Sequence, residues 1–338
     1  MQLKEWFFKV SFLYTWIPVK VLMRLSGKKY VHVFYHYISK SEKNELISAL
    51  YKPKNKKQFQ EDLSFLKKNF KPLTVHDFED TVKNDLGFLI SFDDGLTNFY
   101  DEVVPILKAQ NITAINFINT GFIDNKALFF RYKVSLLLSM LKDKELTGSQ
   151  QKAVGDLLPL ERYSYNKLHL FLKSITIHES AILDQLAEIV NFSFKDYLKV
   201  QKPYMTPFQI QKLIDAGFFI GAHGNTHPRY STIAYENQVK ETQESIAVIE
   251  NSFGLQKRLF AFPFSDDKVS LRFFNWLSDE NIISFGTSGL KDDGLVNHHQ
   301  RIQMEYENDV YTAETIIKGE LVYYLFKKIF GKHKTKRV

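Results

Sequence analysis

From residue 29 onward the chain alternates short apolar, β-branched or aromatic runs with longer segments whose apolar residues recur every three or four positions. That alternation is the pattern of β/α units around a parallel sheet. Seven runs predict strands: YVHVFYHYI from Tyr30, FLISF from Phe88, ITAINFI from Ile112, FFIGA from Phe218, LFAFPF from Leu259, IISFG from Ile282 and RIQME from Arg301. Between them QFQEDLSFLKKNF, TNFYDEVVPILKAQ, PFQIQKLIDAG and YENQVKETQESIAVIENSFG predict helices. The fold class is therefore α/β, a distorted seven-stranded β/α barrel, and seven strands favour an incomplete ring.

One stretch breaks the alternation. From about 125 to 205 no strand pattern appears, and helical periods such as RYKVSLLLSMLKD and SAILDQLAEIVNF follow one another. It is too long for a plain connection, so it reads as a helical insertion after the third strand. Barrel active sites lie at the C-terminal ends of the strands, where such an insertion would form a lid. The predicted organisation is an amphipathic segment over 1–28, the barrel over 29–310, and an apolar then basic tail over 311–338.

Composition narrows the chemistry. Of the 338 residues 44% are hydrophobic and 25% charged, as in a globular protein able to bury a large core. The 30 Phe and 17 Tyr suit an aromatic core first and sugar stacking second. With no Cys, disulfides and thiolate chemistry are excluded, and any metal must be held by His and carboxylates. The net charge of +7 is a property of the tail: KKIFGKHKTKRV from Lys327 holds six of the 45 basic residues and no acid, leaving 39 against 38 acidic residues elsewhere. A broad nucleic-acid-binding face is therefore not expected.

The N-terminal segment is aromatic but interrupted by Glu5, Lys9, Lys20 and Arg24, and its longest uncharged run, Val10 to Val19, is too short to span a bilayer. No small-residue cleavage site follows, so the segment is expected to be retained. Trp6, Phe7, Phe8, Phe12 and Trp16 at one end, and LVYYLF with its basic followers at the other, leave two expectations open. Either the termini contact an anionic membrane peripherally, or they pack on each other and floor the barrel.

Candidate chemistry sits at two strand ends. In FLISFDDG, Asp93 and Asp94 follow an apolar strand and precede Gly95. Adjacent carboxylates there point apart, so that one can bind a cation while the other accepts a proton. Alone, DDG reads rather as a turn with two solvated acids. After FFIGA comes His223-Gly-Asn-Thr-His227, and one turn of chain would bring both imidazoles to one side. Two His and one Asp at strand C-termini make an open three-ligand site with room for water.

SFDDG followed by HGNTH at this separation resembles the polysaccharide deacetylase family, carbohydrate esterase family four. The resemblance implies a divalent metal, often zinc, bound by Asp94, His223 and His227, with Asp93 as general base. It implies hydrolysis of the acetamide of N-acetylated sugars, a glycan of the cell envelope or its lipid-linked precursor being the partner. A third family element, a strand ending in Pro and an aromatic, is matched by Pro263 and Phe264, the Phe264 backbone N–H contributing to an oxyanion hole. The family commonly has an Arg before that Pro to orient the base; here Ala261 stands in its place. The family's late His, a general acid, is matched by His298 or His299, which also read as a surface pair in a polar loop. His36, closing the first strand, reads as a structural histidine at the barrel mouth, and Arg131 as a solvated helix residue. The expected function is metal-dependent N-deacetylation in the cytoplasm or at the inner membrane face, with O-acetyl ester cleavage and an inactive glycan-binding barrel as alternatives.

Overall fold

The computed structural model describes residues 3–40, 46–78, 86–158 and 163–337. At its centre are β1 (Tyr30–Tyr35), β2 (Gly87–Phe92), β3 (Ile115–Ile118), β4 (Phe219–Ala222), β5 (Leu259–Ala261), β6 (Ile283–Gly286), β7 (His298–Gln300) and β8 (Ile302–Gln303). From β1 to β7 each strand pairs in parallel with the next in chain order, and β8 pairs back on β1. Only Arg301 separates β7 from β8. One extended segment therefore pairs with β6 through its first half and with β1 through its second, which closes the ring. Across the join, Arg301 N–H donates to the Gly286 carbonyl at 3.2 Å and Met304 N–H to that of Phe34 at 3.1 Å.

The seven predicted runs correspond to this ring with one difference. The last strand begins at His298, three residues before the predicted start at Arg301, and splits at Arg301. An outlying strand, Lys71–Pro72, pairs with Gly87–Phe88, below the point where β3 joins β2 at Ser91, and makes the sheet nine-stranded. Proline is tolerated there because the bonds are donated by its neighbours Lys71 and Leu73, not by its own nitrogen.

Strand alternation builds two layers of core. Leu89, Ile115, Phe117, Leu259, Ala261 and Phe285 form one cluster, while Val31, Val33, Phe88, Ile90, Phe92 and Phe260 pack into the larger cluster with the surrounding helices. Among the described residues, the stretch after β3 forms five α-helices, from Phe130–Lys142 to Phe194–Gln201, around an apolar core of their own.

The two chain ends pack on each other. The Phe7 ring lies 5.3 Å from Tyr323 and 5.6 Å from Phe326, on the helix Ala313–Ile329. Phe8 fills the space where a side chain at Gly319 would stand, and with Leu22 and Met23 joins the main core. The tail is not uniformly free: Arg337 donates to the carboxylates of Asp266 and Asp293. Among the described residues no helix is long and apolar enough to cross a membrane.

Candidate active site

Asp93 and Asp94 leave the end of β2, where the chain turns through left-handed backbone at Asp94 (φ 76°) and Gly95 (φ 67°). Asp tolerates this region better than most residues, and Gly enters it freely. The turn sends the two buried carboxylates to different partners. Asp93 is gripped by a bidentate guanidinium, Arg301 Nη1 donating to Oδ1 at 2.7 Å and Nη2 to Oδ2 at 2.9 Å. Arg301 is fully buried, stacked over the Phe34 ring at 4.4 Å and donating also to Ser91 Oγ at 3.1 Å. Asp94 accepts the Tyr132 hydroxyl at Oδ2 and turns Oδ1 toward His223 Nε2 at 3.5 Å and His227 Nε2 at 3.2 Å.

The two histidines reach this point without a helical turn. After β4 the segment bends with Gly224 at φ 74° and His227 at φ 60°. The helix Tyr235–Phe253 holds the bend: Glu241 accepts from the backbone N–H groups of Asn225 (2.8 Å) and Thr226 (2.9 Å), and Ser245 Oγ donates to the Gly224 carbonyl at 3.1 Å. Positive φ at a residue as bulky as His is strained, and here the surrounding bonds impose it. The imidazole rings stand 4.8 Å apart at 78°. His223 Nδ1 lies 2.8 Å from the Ala261 carbonyl, which can only accept; the proton is therefore on Nδ1, and Nε2 presents its lone pair to the site.

The charges follow from this geometry. Burial alone would raise the pKa of Asp93, but the Arg301 charge and hydrogen bonds outweigh it and hold the carboxyl below its ordinary range. Burial is likewise outweighed at Asp94 by His227, His36 and His223, so it too is held down. Burial pushes His223 down to about 4, keeping it neutral at pH 7.

Asp94, His223 and His227 offer ligand atoms within 4.8 Å of one another, all buried. Asp94 Oδ1 accepts no hydrogen bond although it is enclosed in protein, a deficit a cation would remove. Two imidazole nitrogens and a carboxylate oxygen suit a divalent ion of the zinc type, so the residues present fit the group.

The site opens into a cavity of about 370 Å³ lined by Asp93, Asp94, His223, His227, His36 and Phe264 among others. The helical insertion forms part of its wall through Phe129, Arg131, Tyr132 and Lys173. The Phe129 ring lies 4.1 Å from that of His227 at a tilt of 47°, and Phe264, itself at φ 59°, lies 4.8 Å from it. Arg131 is fastened to the Lys173 carbonyl at 2.7 Å, so it is a wall residue and not a solvated one.

The structure thus gathers Asp93, Asp94, His223, His227 and Phe264 in one cavity, but it does not place His298 there. That ring lines no part of the cavity; Ser284 Oγ sits 2.8 Å from Nδ1 and Asp266 Oδ2 3.1 Å from Nε2. The expectation that His298 donates a proton to substrate fails because the last strand begins at His298, so the residue is a buried strand position and not part of a mouth loop. His299 is likewise turned away, its Nδ1 3.1 Å from the Tyr30 hydroxyl. His36 does reach the cavity, and its Nδ1 is 2.7 Å from Glu305 Oε2, which also accepts from the His36 backbone N–H at 2.7 Å. Burial would lower this imidazole, but Glu305 overrides it and raises the pKa to about 9. Arg301, Tyr132 and Glu305 were not identified as site residues from the sequence. A buried base needing a cation, where Ala261 fails to supply one, is the signal that points to an Arg elsewhere.

The family model described as polysaccharide deacetylase matches residues 83–273. Among solved structures, the chain is similar to the Streptococcus pyogenes deacetylase PplD in complex with acetate, at 15% identity and a TM-score of 0.53, covering 86% of this chain and 98% of that one. It is similar to IcaB from Ammonifex degensii at 14% identity and a TM-score of 0.52, covering 87% and 97%. A de-N-acetylase from Aggregatibacter actinomycetemcomitans aligns at 13% identity and a TM-score of 0.54, covering 86% and 99%. At these identities the likeness is one of fold. No curated protein sequence matches the chain.

Proposed function

The chain belongs to the polysaccharide deacetylase family, and on that premise we propose that it hydrolyses the acetamide of an N-acetylhexosamine unit in a glycan, releasing acetate and leaving an amine. The observation that carries the reading is Asp93, ionised and clamped by Arg301, with Oδ2 only 3.8 Å from His223 Nε2 in the Asp94–His223–His227 cluster.

A divalent cation held by Asp94, His223 and His227 would supply Lewis acidity, polarising the acyl oxygen and acidifying a water. Asp93 accepts the proton of the attacking water as its oxygen bonds to the acyl carbon. Arg301 fixes the carboxylate in place and keeps it unprotonated, so it acts as a positioning residue. The Phe264 backbone N–H is the donor assigned to the developing oxyanion. The C–N bond then breaks, and the leaving nitrogen takes a proton from His36, whose free nitrogen is Nε2 because Nδ1 is committed to Glu305. His36 replaces His298 in this role on grounds of position.

The ligand assignment is tested by metal analysis. The protein is expected to hold about one divalent ion, and the double variant His223→Ala/His227→Ala to lose most of it. Full occupancy in that variant would overturn the assignment. Acetate release from N-acetylated and O-acetylated oligosaccharides then separates amide from ester cleavage; no release from either would leave only glycan binding.

His36 also makes a pH prediction. A group raised to about 9 is protonated below that pH and stops donating as pH rises through it. A nearby cation disfavours the charged imidazole, so the alkaline limb of kcat/KM is expected at or below about pH 9. His36→Gln should lower turnover and abolish that limb; an unchanged profile would remove His36 from the mechanism.

A further inference from the structure

The two ends of the chain build one aromatic surface. Ring contacts run without a break from Trp6 to Phe7 (5.3 Å), from Phe7 to Phe326 (5.6 Å) and from Phe326 to Phe330 (4.9 Å). Phe7 is buried and anchors the row, but Trp6 is 46% exposed, Phe326 42% and Phe330 60%, with Ile329 beside them at 79%. The N-terminal segment exposes Phe12 at 71% and Trp16 at 77% in addition. Single exposed apolar residues are ordinary, whereas a row supplied by two distant parts of the chain is not.

We propose that this surface docks the protein on an anionic lipid bilayer. Three observations select that occupant. Trp and Phe favour the membrane interface, where an apolar ring meets headgroups. The chain beyond Phe330 carries exposed Lys332, Lys334 and Lys336, and no acidic residue occurs from 327 to 338, so the charge next to the rings is complementary to an anionic headgroup layer. The Lys327 ammonium sits 4.5 Å over the Tyr323 ring, which puts a cation beside the aromatic row. Arg337 is not counted, being engaged by Asp266 and Asp293. Because no described helix is able to span, the contact is peripheral and reversible. The proposal does not depend on the deacetylase reading, since none of these residues lines the active-site cavity.

The test is co-sedimentation of the full chain with vesicles of phosphatidylcholine alone or with added phosphatidylglycerol, for the parent, for Trp6→Ser/Phe330→Ser, and for Lys332→Glu/Lys334→Glu/Lys336→Glu. The parent should bind the anionic vesicles, and bind them less at high salt. The aromatic variant should partition about tenfold or more weakly, since burying one such ring is worth at least that factor. The charge variant should lose the preference for anionic lipid. Circular dichroism checks that both variants fold, as their exposed positions require. Parent protein remaining in the supernatant, or an aromatic variant that binds like the parent, overturns the proposal. So does a parent that sediments alone as a dimer, becomes monomeric on Trp6→Ser/Phe330→Ser and ignores vesicles, for then a second copy covers the surface.

Discussion

Asp93→Asn is expected to keep the metal and lose about 10² to 10⁴ in turnover, the usual worth of a positioned acid or base. The substitution preserves shape and removes only the capacity to accept a proton, so metal content and acetate release should separate. In the parent, the Arg301 guanidinium holds Asp93 below its ordinary carboxylate range, so it is ionised across the neutral region. The proposed metal ligands are other side chains, and the Asp94–His223–His227 cluster is complete without an Asp93 oxygen. Stoichiometry by atomic absorption and initial rates on an N-acetylated oligosaccharide are the two readouts. Activity within about threefold of the parent would take Asp93 out of the mechanism. Loss of metal together with activity would instead make Asp93 part of the ligand set.

How far this site was legible depends on how local each contact is. Asp93 and Asp94 are neighbours, and His223 and His227 are four residues apart, so strand-end position and residue type were enough to single them out. The strands up to β6 were legible because both faces are buried and their sequences are mostly apolar, with His32, Ser91, Asn116 and Ser284 as buried polar exceptions. β7 was hidden for the opposite reason: His298, His299 and Gln300 are polar, and their polarity is absorbed by Ser284, Tyr30 and Asp266. Missing its start moved His298 from a strand to a loop, and the assignment of the acid went with it. Arg301 and Glu305 take their roles from ring closure, which sets residue 302 beside Val33 and residue 303 beside Phe34. No local pattern carries that register. Position 261 lacks the expected Arg, and the guanidinium comes instead from the junction of β7 and β8, far away in sequence, while the Ala261 carbonyl orients His223. Tyr132 was unreadable for a similar reason, because helical periodicity tells that the insertion has an apolar face but not which hydroxyl falls on Asp94.

Arg301→Met tests the closure and the base together. Methionine fills similar volume between Phe34 and Phe117, so the change is one of charge and of hydrogen bonds, those to Ser91 Oγ and the Gly286 carbonyl included. Removing one partner of a buried ion pair leaves the other uncompensated, which typically costs about 3–5 kcal/mol. The loss should depend on pH in a defined direction. In the parent, Asp93 has a folded pKa below its unfolded value, so the pair contributes stability above the ordinary carboxylate range, and that contribution is lost as pH falls through the folded pKa. Without Arg301 the main influence opposing burial is gone, so the Asp93 pKa rises relative to the parent. The stability gap between parent and variant should therefore be widest near neutrality and narrow below about pH 4, where the unfolded carboxyl also protonates. Denaturant melts of chelator-treated protein measure this free of any cation. In the metal-loaded enzyme the acidic limb of kcat/KM should move to higher pH, because more of the base is protonated. Arg301→Lys keeps a charge but not the two-pronged grip, and should fall between the two. Asp93→Asn added to Arg301→Met should regain part of the lost stability, since no buried charge is then left alone, yet regain no activity. If Arg301→Met matched the parent in both melting and acidic limb, Arg301 would be neither the clamp on the base nor the pin that closes the barrel.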